Sequence, residues 1–303
     1  MNGDRLGSPM SAKTFSDASR RRSEIAFATR DHQPIGEYTR AGHRHYVRLR
    51  VLLDALSMLE FDTLLDVGCA EGFFTHAISE RFGVEAWGVD IAIAAVAKMQ
   101  LRYGLAGVAA DGARLPFGDG AFDLVLCTET IEHVPDADGF FRELTRVARR
   151  YVVITTPASA GGDFVPDYEL RNEGHVQQFT SERVGQLFGD KSSITSFRNN
   201  LGFGLYVAVG RNLGRSIGSR FIDFDFWFAR RFGGVSRKLW PLRNRDWLIV
   251  STAPGAEAAQ LKLACPACQG DLEIKDFEYR CLRCAAVYQV REGVPDFYEP
   301  VSA

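Results

Sequence analysis

The sequence predicts an α/β fold, a mostly parallel sheet with helices on both faces, followed by a small cysteine-bearing module. Three observations predict it. Five short apolar runs alternate with longer segments of helical character between residues 63 and 155, a glycine-bearing turn follows the first run, and two Cys-x-x-Cys pairs crowd into residues 265–284. Strands buried on both faces read as near-continuous apolar runs, and helical segments between them supply the crossovers that a parallel sheet requires.

At 303 residues, 46% hydrophobic and 24% charged, the chain can bury one sizeable core and a smaller satellite domain. The formal net charge of −2 gives no global argument for nucleic acid or for acidic partners. No apolar run reaches the roughly 20 residues of a membrane-spanning helix, and no charged start leads into an apolar stretch of signal-peptide type, so the expected location is cytoplasmic.

Residues 1–40 are rich in Ser, Arg and small residues, with Arg20-Arg21-Arg22 at the centre and no sustained apolar period, which predicts a disordered basic arm. The main domain is expected over 41–252. From Tyr46 to Leu59 the apolar positions, among them Val47, Leu52, Ala55 and Leu56, mostly recur at helical spacing, so a helix should lead into the core with its basic residues facing solvent. Strands are expected at 63–67, 86–89, 108–110, 124–127 and 151–155. A Gly-rich polar connection occupies 157–192, and further strands are expected within 193–209 and at 246–252, seven in all. Between these last two lies a basic aromatic insert or lid, 211–245, with nine Arg or Lys against two Asp. Residues 253–260 have the composition of a linker, and a second domain is expected over 261–299.

The turn Asp66-Val67-Gly68-Cys69-Ala70-Glu71-Gly72 sits between the first apolar strand and a helix, at the sheet edge where ligands collect. Gly68 and Gly72 allow tight turning and close approach of backbone to ligand. A turn of this kind occurs in many doubly wound proteins, so its neighbours matter. Asp90 ends the next run some twenty residues on, where a carboxylate can accept hydrogen bonds from a ribose diol, and Asp111 follows the third. A nicotinamide dinucleotide is the rival ligand, but Gly68-Cys69-Ala70-Glu71-Gly72 lacks the Gly-x-Gly-x-x-Gly pattern that seats a pyrophosphate.

In order and spacing, these segments resemble the S-adenosylmethionine (SAM) motifs of class I methyltransferases, the Rossmann-like family that includes ubiquinone-biosynthesis O-methyltransferases. The resemblance covers about residues 45–210. It implies SAM as cofactor, with Asp66, Gly68, Cys69, Ala70 and Gly72 around its methionine part, Asp90 on the ribose and Asp111 on the adenine amino group. Ile91, Gly112 and Thr128 adjoin these positions and complete the expected cofactor-binding set. The family's middle glycine is Ala70 here.

After the fourth run, Thr128-Glu129-Thr130-Ile131-Glu132-His133 places two carboxylates and an imidazole where acceptor must meet cofactor. A neutral hydroxyl is a poor nucleophile until its proton leaves, and His133, with an ordinary pKa of about 6.5, suits that proton. The spacing also permits a divalent metal at Glu129, Glu132 and His133, and resembles the metal site of small-RNA 2′-O-methyltransferases and some quinone O-methyltransferases; His175 could complete it. The plainer reading is that Glu132 and His133 begin a helix and shape the pocket.

Cys265, Cys268, Cys281 and Cys284 form two Cys-x-x-Cys pairs separated by twelve residues. Four thiolates complete a closed tetrahedral zinc site, which is structural because it leaves no position for substrate. Residues 261–299 resemble the zinc-ribbon proteins that activate tRNA and protein methyltransferases. Such a ribbon either packs on the catalytic domain or stands as an independent knob. The insert, with Phe221, Phe224, Phe226, Trp227 and Phe228 beside Arg230 and Arg231, serves as core or lid, as a membrane-surface contact holding a lipid-linked substrate, or as a stacking surface for bases.

The expected activity is methyl transfer to a small-molecule or glycan-type acceptor at oxygen. An RNA or protein substrate is the alternative, suggested by the activator-like ribbon and basic patches. A noncatalytic scaffold that keeps SAM as a structural ligand is the alternative of another class.

Overall fold

The computed structural model describes residues 12–29, 40–159, 161, 174–189, 192–198, 245–253 and 262–301. The basic aromatic insert lies outside the described residues except for Arg245, as do 254–260 of the linker and 1–11 and 30–39 of the N-terminal arm.

Five strands follow the apolar runs closely: β1 (Thr63–Val67), β2 (Glu85–Asp90), β3 (Ala106–Ala109), β4 (Phe122–Thr128) and β5 (Ala148–Pro157). The chain pairs β3, β2, β1, β4 and β5 side by side and all parallel. β6 (Ser192–Arg198) and β7 (Arg245–Thr252) extend that edge, with β7 antiparallel to both β5 and β6.

The period of two along each central strand sorts side chains to opposite faces. Leu64, Leu124 and Leu126 pack with Leu52 and Leu56 of α2 (Arg40–Leu56) and with Phe74 and Ile78 of α3 (Phe73–Phe82). Leu65, Val125 and Cys127 pack on the other face with Phe140 and Leu144 of α5 (Ala137–Val147) and with Val184 and Phe188 of α6 (Ser181–Phe188). α4 (Ile93–Tyr103) crosses between β2 and β3 and buries Met99 against them.

The seven strands are not the whole sheet. Four strands of the C-terminal module, β8 (Leu272–Lys275), β9 (Glu278–Cys281), β10 (Val287–Arg291) and β11 (Val294–Asp296), continue it to eleven among the described residues. β11 joins the open edge of β3 in parallel, with Asp296 opposite Ala109. Cys265, Cys281, Tyr288 and Phe297 fall in the same buried cluster as the α5 face. Of the two expected arrangements, the module takes the packed one and is no independent knob: its strands cover an edge that would otherwise present unpaired backbone.

The expectation of disorder over 1–40 fails for part of that range, since residues Ala12–Thr29 form helix α1. Its sequence has no strong apolar stripe, and its contacts supply the order instead. Phe15 is buried, and the Glu24 carboxylate accepts hydrogen bonds from the Ile93 and Ala94 amides at the start of α4, at 2.6 and 3.1 Å. A helix marginal in isolation is held by such tertiary contacts.

The second correction concerns α2, whose basic residues were expected to face solvent. Arg48 is only 4% exposed. It lies four residues before Leu52 and eight before Leu56, on the stripe that faces the sheet, and its charge is met there by carboxylates.

Candidate active site

The ends of β1 to β4 meet at a cavity of about 360 Å³, within the range of small-molecule sites. Each strand contributes through the loop that follows it: Gly68 and Ala70, then Asp90 and Ile91, then Asp111 and Gly112, then Glu129, Thr130 and His133. α1 closes the opposite side with Phe15, Ser19, Ser23 and Phe27, none of which sequence reasoning singled out.

The first loop is locked by two contacts. The Gly68 and Cys69 amides both donate to the Val89 carbonyl, at 2.7 and 3.0 Å. Gly68 has a φ of 81°, and a Cβ there would overlap Thr130, so the position requires glycine. Ala70, the departure from the family's glycine, takes a φ of 49°. Its amide donates to Asp90 Oδ2 at 2.9 Å, while the Ala92 amide donates to Oδ1 at 2.9 Å. Asp90 thus ties the loops after β1 and β2 together. Burial raises its pKa against those two amides, which favour the charged form. Asp111 is set by its own turn, with Oδ1 accepting from the Ala113 amide at 2.9 Å.

Four expected cofactor residues, Asp66, Cys69, Gly72 and Thr128, do not line this cavity. A side chain at Gly72 would overlap Met99 of α4, so Gly72 serves helix packing. Asp66 lies beneath the loop, where Thr75 donates to its Oδ2 at 2.6 Å. Cys69 and Thr128 face an adjoining cavity of about 260 Å³, which shares Gly68, Ala70 and Glu129 with the first and adds Phe73, Phe74 and Arg48.

Burial lifts the Asp66 carboxyl to about 7, from an ordinary value of about 4. Between those values the folded protein holds a proton that the unfolded chain has released, so the stability contributed by this group is full at low pH and is lost as pH rises through 7. In urea unfolding of the unliganded protein, Asp66→Asn should lose less stability than wild type between pH 5 and pH 8. Parallel pH profiles would remove this assignment.

Beyond β4 the backbone turns sharply at Glu129, whose φ is 51°, and passes through a single 3-10 turn, Ile131–His133. The Glu132 carbonyl accepts hydrogen bonds from the Val176 and Gln177 amides at 2.8 and 3.1 Å, and the Gln177 side chain donates to the Pro135 carbonyl at 2.7 Å. These bonds bring the distant His175 beside His133, with ring centroids 4.8 Å apart. His133 Nδ1 lies 3.1 Å from the Gly174 carbonyl. A carbonyl only accepts, so Nδ1 carries the proton and the neutral ring presents Nε2 as its acceptor.

The Glu132 carboxylate is buried and receives the Thr156 hydroxyl at 3.0 Å. Burial first, and Glu129 second, hold its pKa well above the usual carboxylate range. Glu132, His133 and His175 place one donor atom each within 4.8 Å of one another, and a carboxylate with two imidazoles suits a divalent first-row cation. Glu129 is not in that group: Arg48 takes its Oε2 at 2.7 Å and Asp246 Oδ2 at 2.8 Å. The expected set of Glu129, Glu132 and His133 is corrected in this respect, because the Arg48 guanidinium already holds Glu129.

In the C-terminal module the four cysteine sulfurs lie within 4.8 Å of one another. Cys265 and Cys284 are 3.7 Å apart, and Cys268 and Cys281 are 3.4 Å apart. Tetrahedral zinc with Zn–S bonds of about 2.3 Å separates its sulfurs by about 3.8 Å, so the donor set fits. The Arg283 and Cys284 amides point at Cys281 Sγ, both at 3.4 Å, as suits a thiolate.

Residues 65–154 match a family model described as a methyltransferase domain. The chain is 30% identical over 162 residues to ajmaline N-methyltransferase of Rauvolfia serpentina, covering 46% of this chain and 54% of that protein. It is 31% identical over 138 residues to ubiquinone biosynthesis O-methyltransferase of Pseudomonas paraeruginosa, covering 39% of this chain and 59% of that one. The chain therefore spans just over half the length of these curated relatives. A geranyl diphosphate C-methyltransferase from Streptomyces coelicolor shares the fold, with a TM-score of 0.54 and 17% identity over 79% of this chain and 98% of that one. The matched segment, 65–154, contains Asp66, Asp90, Asp111, Glu132 and His133. Among the described residues, no helix is long and apolar enough to cross a membrane.

Proposed function

We propose that this chain transfers the methyl group of SAM to an oxygen of a small-molecule or glycan-type acceptor. The observation that carries the reading is Asp90, joined to the Ala70 and Ala92 amides on the wall of the 360 Å³ cavity, inside the matched methyltransferase segment. Its oxygens keep further lone pairs for the ribose hydroxyls. Asp111 meets the adenine amino group, and the Gly68–Ala70 backbone passes close to the methionine part.

Bound in this cavity, SAM supplies a methyl group already activated on a sulfonium centre. The residues of the chain do the rest by placement and by handling one proton. Holding acceptor and methyl in line contributes roughly 7–11 kcal/mol when the geometry is right. His133 Nε2 accepts the proton of the acceptor hydroxyl. In the alternative to that role, Glu132, His133 and His175 would hold a divalent cation, with His133 giving it the same Nε2, and the cation would lower the pKa of a coordinated hydroxyl. Acceptor oxygen is favoured because the site has a base beside the cavity; the relatives carry both N- and O-methyltransferase names. The four C-terminal cysteines hold structural zinc in this reading.

The test is to incubate the purified chain with SAM and acceptor pools and to follow S-adenosylhomocysteine formation. Asp90→Ala should weaken S-adenosylhomocysteine binding about 100-fold, the loss of hydrogen bonds to a charged group worth about 3 kcal/mol together, and should abolish turnover. Wild-type protein that binds neither SAM nor its product would end the reading. Binding without turnover on any acceptor would favour the noncatalytic scaffold.

A further inference from the structure

We propose that the C-terminal module acts on the cofactor site through α1, with Asp296 and Tyr298 holding Arg20 and Asp17 so that the helix stays in place as the outer wall of the cavity. The inference rests on the cofactor reading given above. Arg20 and Asp296 lie 276 residues apart in sequence and form an ion pair of 2.7 Å whose side chains are only 14% and 6% exposed. The Arg20 guanidinium also lies over the Tyr298 ring, 4.4 Å from its centroid, and the Tyr298 hydroxyl donates to Asp17 Oδ1 at 2.8 Å. Burial, then the Asp17 contact, raises the Tyr298 pKa and keeps that donor protonated.

The helix divides its faces between two tasks. Ser16, Ser19, Ser23 and Phe27 recur at spacings of three and four and line the cavity, while Asp17, Arg20 and Glu24 occupy the adjacent face. Two of these three are held by the C-terminal module and the third by the start of α4. Asp296 is also the residue of β11 that pairs with Ala109 of β3, and the next amide, Phe297, donates to the Ala109 carbonyl at 2.7 Å. Ala109 stands two residues before Asp111 of the cavity wall. The same short strand therefore positions the inner wall through the sheet edge and the outer wall through Arg20. Asp17, Arg20, Asp296 and Tyr298 are positioning residues, since none of them lines the cavity.

A buried, hydrogen-bonded ion pair resists the loss of one partner far more than an exposed pair does. Lys13 and Glu299 make a second link between the same two elements at 2.9 Å, but both are well exposed, so the clamp depends on Arg20.

The experiment uses the full chain and S-adenosylhomocysteine as probe, with hydrogen exchange of residues 12–29 measured alongside. Arg20→Ala should raise the dissociation constant about tenfold, because only the fraction of molecules with α1 seated binds tightly. It should also remove exchange protection from α1 while leaving that of α3 to α5 and the urea midpoint near wild type. Arg20→Lys should recover part of both, and Arg21→Ala, on the solvent face of the same helix, should change neither. Wild-type affinity and wild-type α1 protection in Arg20→Ala overturn the proposal while the cofactor reading stands. Loss of protection across the whole sheet also overturns it, since Arg20 then serves global stability. Failure of the wild type to bind the probe overturns the cofactor reading instead, and with it the assignment of α1 as a cofactor wall.

Discussion

Replacing His133 with alanine is expected to lower kcat by about 10²–10⁴-fold while leaving the affinity for S-adenosylhomocysteine near the wild-type value. The ring sits on the cavity wall with Nδ1 committed to the Gly174 carbonyl, so Nε2 is the nitrogen that meets the acceptor. His133→Asn separates this role from simple support, because the asparagine amide can donate to Gly174 as Nδ1 does but offers nothing in place of Nε2. Activity retained in His133→Asn would reduce the residue to a shaping role. Chelation separates the other two readings: loss of turnover in wild type on treatment with a chelator, restored by magnesium or manganese, which a four-thiolate site does not select, assigns Glu132, His133 and His175 as ligands, whereas chelator-insensitive turnover that partly recovers at high pH in His133→Ala assigns a base.

Arg48→Ala is expected to destabilise the protein by about 3–5 kcal/mol, the cost of stripping the partner from a buried charge. Asp246 is fully buried and Glu129 three-quarters so, and both are held by one guanidinium. Burial works against the charge of Arg48, yet Glu129 and Asp246 together keep it protonated. Adding Asp246→Asn to Arg48→Met should return part of the loss, since the fully buried carboxylate is then neutral and the charge left behind is that of the partly exposed Glu129. A change below about 1 kcal/mol in urea unfolding of Arg48→Ala would show that water or another cation meets these carboxylates.

Arg48 also shows where reading a sequence stops. It lies on the apolar stripe with Leu52 and Leu56, and a helical projection places it there, but nothing in its neighbourhood reveals that Asp246, 198 residues away, would receive it. Glu129 was read as a metal ligand because it stands at the right spacing from Glu132 and His133. Spacing along a chain does not show that a cation from another helix is already bound to it. His175 was the reverse case: the sequence offered it only as a residue that could complete the group, and its place beside His133 came from backbone bonds between residues 132 and 176–177.

The strands were legible for a physical reason. A strand buried on both faces must be apolar at nearly every position, and the turn after β1 needs glycine at Gly68, where φ is 81° and a Cβ would overlap Thr130, so both leave a local mark. α1 left none, because its order comes from Glu24 on α4 and Arg20 on Asp296 rather than from an apolar period. Gly72 left a misleading one, since a glycine beside a ligand and a glycine beside Met99 look alike in sequence.

By itself, then, the sequence determined the parallel core, the order of the acidic residues at its edge, and the two cysteine pairs, all of which follow from local apolar pattern and short spacing. Only the tertiary structure decided that the cysteine module extends the sheet, that α1 walls the cavity, and that Arg48 meets Glu129, which had been read as a metal ligand. Each of these depends on groups far apart in the chain satisfying one another's charges or backbone bonds, and that complementarity exists only once the chain has folded.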